Sequence, residues 1–407
     1  MNTIIAVIQN FIQLFLDVIF VRIVVILRKC LFNIFQSFLQ KSKKQIEDTL
    51  INTDLNPVND GLSILALTSI TNSLGIVANN TFEQFFFSIP DEYRSQLNEY
   101  KFYINGDSDR SSKYYSKLTD FLVKYYSFSI DEAYSLISKH RDLVAQQFLD
   151  EIKTGKQKSN NKMFGVDRIS NRGNLLELQL FVTDYFSYTC MNRIYRYLKS
   201  TYPDNKSLFV QTIDDVNKVS PLLCDFGVGG FLSLNHANKE VYFVGKRSSS
   251  VACPNVWQTS FDETFDLRDK PNLQGASPNL KTCLERGVKE ELGFFVSEHG
   301  FRIETSLLSV IQTEERFELE LFVIGHCMLK KMGEFEDIIL QMYSASDFEN
   351  ENEMIELIPQ EDVESFFEGL KNKGEEHTIE AKNLWLAFMN IRNKQNMFNK
   401  LMQKLEL

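Results

Sequence analysis

The stretch CLERGVKEELG, Cys283 to Gly293, decides how the second half of the chain is read. Leu280, Cys283, Leu284 and Val288 recur at three- and four-residue intervals, the spacing of one helical face. Gly293 stands where a left-handed cap closes a helix. The pattern predicts a helix from about Pro278 to Leu292. Arg286 and Glu290 lie four apart and can pair, while Glu290 and Glu291 are expected to project away from the apolar stripe. Two carboxylates fixed on a helix before a tight turn suit a hard, oxygen-seeking cation such as Mg2+. Gly287 inside the helix costs about 1 kcal/mol relative to alanine, and the sequence shows no compensation for it.

Outward from this helix the pattern is that of strands. GVGGFLSL (227–234) and KEVYFVGKRS (239–248) flank NHAN, a hairpin signal. RFELELFVIGH (316–326) alternates Phe317, Leu319, Leu321 and Val323 with Arg316, Glu318 and Glu320, the pattern of a half-buried strand. EMIELIPQEDVESFF (353–367) reads as a late strand, a proline and an acidic helix start.

Arg286-x-x-x-Glu290-Glu291-Leu292-Gly293 resembles the second half of the signature of Nudix hydrolases, and the flanking elements follow that family's order over roughly residues 220–390. EVYFVGKRSSSVACPNVWQTS (240–260) is similar to the family's strand ending in Arg-Ser and its Trp-containing loop. The resemblance implies an α/β/α sandwich with a mixed sheet, and Mg2+ or Mn2+ held by Glu290 and Glu291. In it Arg286 orients Glu290, and Glu263 or Glu315 completes the metal shell or acts as base. The departures are specific. Gly287 stands where the family places a metal-binding glutamate, and Ala276 follows Gly275 where another glutamate is expected, at a spacing two residues too long. Asp262, Glu263, Glu314 and Glu315 are the acids nearby that could substitute. Isopentenyl diphosphate isomerase chemistry is disfavoured, because Gln258, Thr259 and Ser260 follow Trp257 in place of a cysteine and histidines.

The rest of the chain is read more coarsely. At 407 residues it exceeds what one core usually serves, so two folded domains plus extras are expected. The net charge of -10 argues against general nucleic-acid binding. Six scattered cysteines and five histidines without paired spacing argue against a disulfide framework or a zinc site. Ile4 to Leu27 is about long enough to span a bilayer. Asp17 and Arg22 would each cost roughly 2.5 to 3.5 kcal/mol at its centre, whereas each large aliphatic residue returns about 0.3 to 0.6. Gln9, Gln13 and Asp17 share one helical face, so this segment is read as a spanning helix that pairs with other copies, an interfacial helix or a buried one. The basic residues after it would place the bulk of the protein in the cytoplasm.

Residues 1–44 are thus expected to be a membrane anchor, 45–205 an all-helical domain, and 206–407 the Nudix-like domain with a C-terminal helix, giving an α+β protein. Within 45–205, GLSILALTSITNSLGIVA (61–78) and NLLELQLFVTDYFSYTCMNRIYRYLKS (174–200) are both read as helices. Two functions follow. One is membrane-associated, metal-dependent hydrolysis of a nucleoside-diphosphate-linked substrate. The other is a degraded Nudix-fold nucleotide sensor coupled to an oligomeric N-terminal helix.

Overall fold

The computed structural model describes residues 62–69, 76–88, 90–99, 113–155, 160–172, 175–236, 239–249, 255–269, 279–293, 301–314, 316–327, 342, 352–378, 381–390 and 392–393. All belong to the compact unit Leu55–Leu407. The expected anchor in residues 1–44 lies outside the described residues. Among the described residues no helix is long and apolar enough to cross a membrane.

The larger sheet joins nine described strands in the order β1 (Leu62–Ser69), β9 (Phe301–Gln312), β10 (Phe317–Cys327), β5 (Phe226–His236), β6 (Lys239–Arg247), β7 (Val256–Gln258) and β12 (Glu376–His377), with β8 (Phe261–Thr264) on β5 and β11 (Asn352–Pro359) on β6. It is mixed, as expected. β10 runs parallel to β5, from Leu319 opposite Phe226 to Cys327 opposite Leu234. The NHAN hairpin is present, with His236 opposite Lys239. β5 changes partner along its length: residues 227–230 pair with β8, and residues 233–236 pair with β6.

Period-two alternation distributes this sheet between two cores. Leu319, Leu321 and Val323 face helix α6 (Leu280–Leu292) and its Leu284 and Val288. Phe322 and Ile324 face α7 (Val363–Asn372) and the helix 381–390, α8, through Phe367, Leu384 and Trp385. That is the α/β/α sandwich, with α6 on one face. β10 is not half-buried as its alternation suggested. Glu318 and Glu320 are both nearly inaccessible, because other elements close over them.

The region 45–205 is not all-helical. β2 (Ile76–Gln84), β4 (Leu175–Asp184) and β3 (Lys162–Arg172) form a second sheet in that order, and β1 joins the larger sheet by pairing with β9. GLSILALTSITNSLGIVA (61–78) reads as a helix in the sequence, yet Leu62–Ser69 forms a strand whose register runs from Leu62 opposite Ile311 to Ser69 opposite Thr305. The stretch 174–200 is half strand and half helix. Leu176, Leu178, Leu180 and Val182 alternate along β4, and α4 (Tyr185–Thr201) starts only where Asp184 caps it by accepting from the Ser187 N–H.

The other helices of this half are α1 (Asp91–Glu99), α2 (Lys113–Tyr126), α3 (Ile130–Lys153) and α5 (Ile213–Val219), the last of which packs on β3. Ser129 and Glu132 form a capping box that starts α3, which packs on α4. No break falls at 205/206. One apolar core runs from Phe85 through Phe164 and Phe226 to Cys327. β3 is stitched to the later half by the bonds Phe164 N to Phe265 O and Val166 N to Leu223 O, both 3.0 Å.

Candidate functional site

Helix α6 begins at an Asn279 cap and ends on Gly293, whose φ of 75° is the left-handed conformation that glycine adopts freely. Arg286 is the hub of its polar groups. Its guanidinium bonds Asp269 through Nε at 3.0 Å and Nη2 at 2.9 Å, the Thr264 carbonyl at 2.7 Å, and Glu263 at 2.5 Å. Glu290 lies 3.4 Å from Arg286 and 3.3 Å from Arg268. Asp266 holds Arg268 in turn, at 2.6 Å. Burial pushes the Glu263 carboxyl up to about 8, with the Arg286 guanidinium pulling the other way.

Glu291 is not on the polar side. It falls seven residues after Leu284, in the buried stripe, at 2% exposure, and its Oε1 accepts from the Asp262 N–H at 2.7 Å. Gly287 shares that stripe and explains itself. A Cβ there would stand 3.0 Å from the Glu263 Cβ and 3.1 Å from Phe261 Cδ2, so glycine lets the helix sit directly on β8.

Of the residues expected to bind metal, the structure therefore gathers Glu263 and Glu290 around Arg286 and sends Glu291 to a backbone amide. Glu315 lies outside the described residues. Glu314 is exposed. A divalent cation needs several oxygens free to converge on it. Here Glu263 and Glu290 converge on guanidinium groups, and no three His, Cys, Asp or Glu side chains among the described residues are placed to share a cation. The described residues do not fit a metal centre at α6.

The other face of β8 tells a different story. Phe261 and Glu263 point to α6, whereas Asp262 and Thr264 line a cleft of about 290 Å³. Its floor holds Asp225, Glu318, Glu320 and Phe322, and one wall is α4, through Tyr185, Tyr188, Asn192 and Arg196. Arg247, Gln258, Thr259, Arg316 and Thr378 complete it. Gly229 makes room for the floor, since a Cβ there would come within 2.5 Å of Glu320 Oε1.

Asn192 donates to the Tyr188 hydroxyl at 3.4 Å, and that hydroxyl donates to Glu318, which also takes an ion pair from Arg316 at 2.8 Å. Burial, then the neighbouring Glu318, hold the Asp225 carboxyl well above the usual carboxylate range, with Arg316 opposing. Among the described residues, Asp225 Oδ1, Asn192 Oδ1 and Arg247 Nε are buried in the cleft without a hydrogen-bond partner. Each such atom costs about 1 to 3 kcal/mol unless something enters to satisfy it.

Solved structures align with about two fifths of this chain. They include the Ap4A hydrolase of C. elegans in a binary complex (12% identity, 42% of this chain and 98% of that one, TM-score 0.26). A Nudix hydrolase from M. smegmatis, RenU, aligns at 9% identity over 41% and 84%, with a TM-score of 0.27. The Nudix domain of Shewanella oneidensis NrtR, complexed with ADP ribose, aligns at 9% over 40% and 85%, with a TM-score of 0.26. No family model and no curated protein matches the chain.

Sequence reasoning singled out the α6 acids and passed over the cleft. Asp225, Asn192 and Arg196 belong to no motif. The available signals were the charges Glu318 and Glu320 set within an apolar strand, and the glycines of FGVGGF beside them.

Proposed function

We propose that the unit is a Nudix-like module that binds a nucleotide-type diphosphate in the cleft and does not hydrolyse it through α6. One observation carries this: β8 stands between the signature acids and the cleft, with Glu263 on the α6 face and Asp262 on the cleft face. Glu263 and Glu290 are held by Arg286, so neither is directed at a ligand on the far side of the strand. Arg196, Arg247 and Arg316 provide the positive groups that a diphosphate requires.

The test is a thermal shift of the full chain with nucleoside diphosphates and dinucleoside polyphosphates, with and without EDTA, alongside a phosphate-release assay. Binding at one hundred times Kd stabilises by about 2.7 kcal/mol, and the expected shift persists in EDTA without product. Mg2+-dependent turnover that Glu290→Gln with Glu291→Gln abolishes would overturn the proposal. The proposal extends to residues 1–44, read from sequence as an anchor that places the unit at the cytoplasmic side of a membrane and brings copies together. Carbonate extraction of the full chain against a chain starting at Ser42 tests it, and full solubility of the intact protein contradicts it.

A further inference from the structure

Helix α4 precedes the Nudix-like half, yet it forms one wall of the cleft. Tyr185, Tyr188, Asn192 and Arg196 are spaced three and four residues apart, which is one stripe of a helix. Nothing in the packing of α4 requires polar groups on that stripe, since its buried side chains Phe186, Cys190, Met191 and Ile194 supply the apolar contacts. Arg196 makes no ion pair or hydrogen bond among the described residues. Asn192 spends its amide N–H on Tyr188 and leaves Oδ1 buried without a donor. Asp225 Oδ1, more than nine-tenths buried, is a second polar atom lacking a partner in the same cleft.

We infer that α4 is the selecting wall of this site: Asn192 accepts a hydrogen bond from the exocyclic amino group of a nucleotide base, Asp225 faces the ring nitrogen beside that group, and Arg196 takes the phosphates. The inference rests on the proposed nucleotide binding and adds to it which end of the ligand goes where. The unsatisfied Asn192 acceptor calls for a donor-bearing group. A uracil edge, whose exocyclic group is a carbonyl, would set that oxygen against Asn192 Oδ1. An unpaired guanidinium calls for an anion, and the exposed ring of Tyr185 gives a base a surface to stack on.

The experiment is calorimetric titration of the full chain with ADP, CDP, UDP and inorganic pyrophosphate. ADP and CDP are expected to bind about tenfold or more tightly than UDP, because a carbonyl in place of the amino group leaves the buried Asn192 acceptor unpaired. Asn192→Leu should abolish the preference, and Asn192→Asp, which keeps an acceptor and the size, should retain it. Arg196→Met should weaken every diphosphate about tenfold and leave the preference intact. The unliganded melting temperature of each variant separates loss of binding from loss of fold. Equal affinity for UDP and ADP, or variants that bind as the parent does, would overturn the role of α4 while nucleotide binding stands. No binding of any nucleotide by the parent chain would remove both.

Discussion

Gly287 shows what a single missing side chain encodes. In the sequence it stands where the resembled signature has a metal-binding glutamate, and it is a weak point in a helix. In the structure it is the contact that seats α6 on β8, against Phe261 and Glu263. Restoring a glutamate there should therefore not restore an enzyme. Gly287→Glu is expected to destabilise by about 1 to 3 kcal/mol through overpacking, measured by urea denaturation, and to yield no diphosphate hydrolysis. Unchanged stability with new activity would contradict the packing role. Arg286 was legible as a partner of Glu290, but its stronger bonds to Asp269 and Glu263 were not, because Asp269 lies in no motif and meets it only through the fold. Arg286→Gln strands the fully buried Asp269 carboxylate and should cost about 3 to 5 kcal/mol in the same assay. A residue serving catalysis alone would leave stability unchanged.

Residue chemistry also sets a pH dependence. His140 is buried with neither ring nitrogen hydrogen-bonded, and burial, with help from Arg193 and Lys139, lowers it from 6.5 to about 4. Below pH 6.5 the unfolded chain takes up a proton that the fold refuses, so stability falls as pH drops from 6.5 towards 4. The loss reaches up to about 3 kcal/mol for this group. His140→Phe should flatten the difference in urea midpoint between pH 7 and pH 4.5. An unchanged difference would assign that slope to other groups.

At the scale of elements, the junction of β4 and α4 carries the most consequence. The sequence displays both halves, since Leu176 to Val182 alternate and the later apolar residues follow helical spacing, but a single helical reading was laid across them. Asp184 marks the switch. Its carboxylate accepts from the Ser187 N–H and from Asn160 Nδ2, both at 2.9 Å, so it ends the strand and starts the helix. Asp184→Ala is expected to cost about 1 to 2 kcal/mol in urea denaturation. It should also weaken nucleotide binding, because α4 walls the cleft. A loss of stability with affinity intact would detach the cap from the site. By contrast α6, the NHAN hairpin, β10 and the late strand–helix pair were legible because their periodicity, turns and caps are local. The pairing of β1 with β9, about 240 residues apart, leaves no local trace, which is why that segment was read as a helix.

At the scale of the molecule, the expected boundary at 205/206 is absent because the core is shared. Tyr195 of α4 stacks on Phe317 of β10 at 4.5 Å, and its hydroxyl donates to the Thr313 carbonyl at 2.9 Å. Lys199 donates to the Gln312 and Thr313 carbonyls at 2.8 and 2.9 Å. Removing residues before 206 would strip this cover from β10 and from one side of the cleft. A chain of residues 206–407 is expected to lack a cooperative unfolding transition, whereas residues 55–407 should unfold in one. A folded, cooperative 206–407 fragment would restore the two-domain reading. That integration also explains why the candidate site was hidden. The motif lies on one helix and its cap, but the cleft is assembled from α4, β6, β7, β8, β10 and Asp225 just before β5, which meet only in the folded unit.

Calorimetric titration of the full chain with ADP in EDTA, repeated in Mg2+, distinguishes nucleotide binding alone from metal-assisted turnover. Saturable binding of equal affinity in both buffers, with the nucleotide recovered intact, is the predicted result. Binding that appears only with Mg2+, accompanied by product and lost in Glu290→Gln with Glu291→Gln, would contradict it.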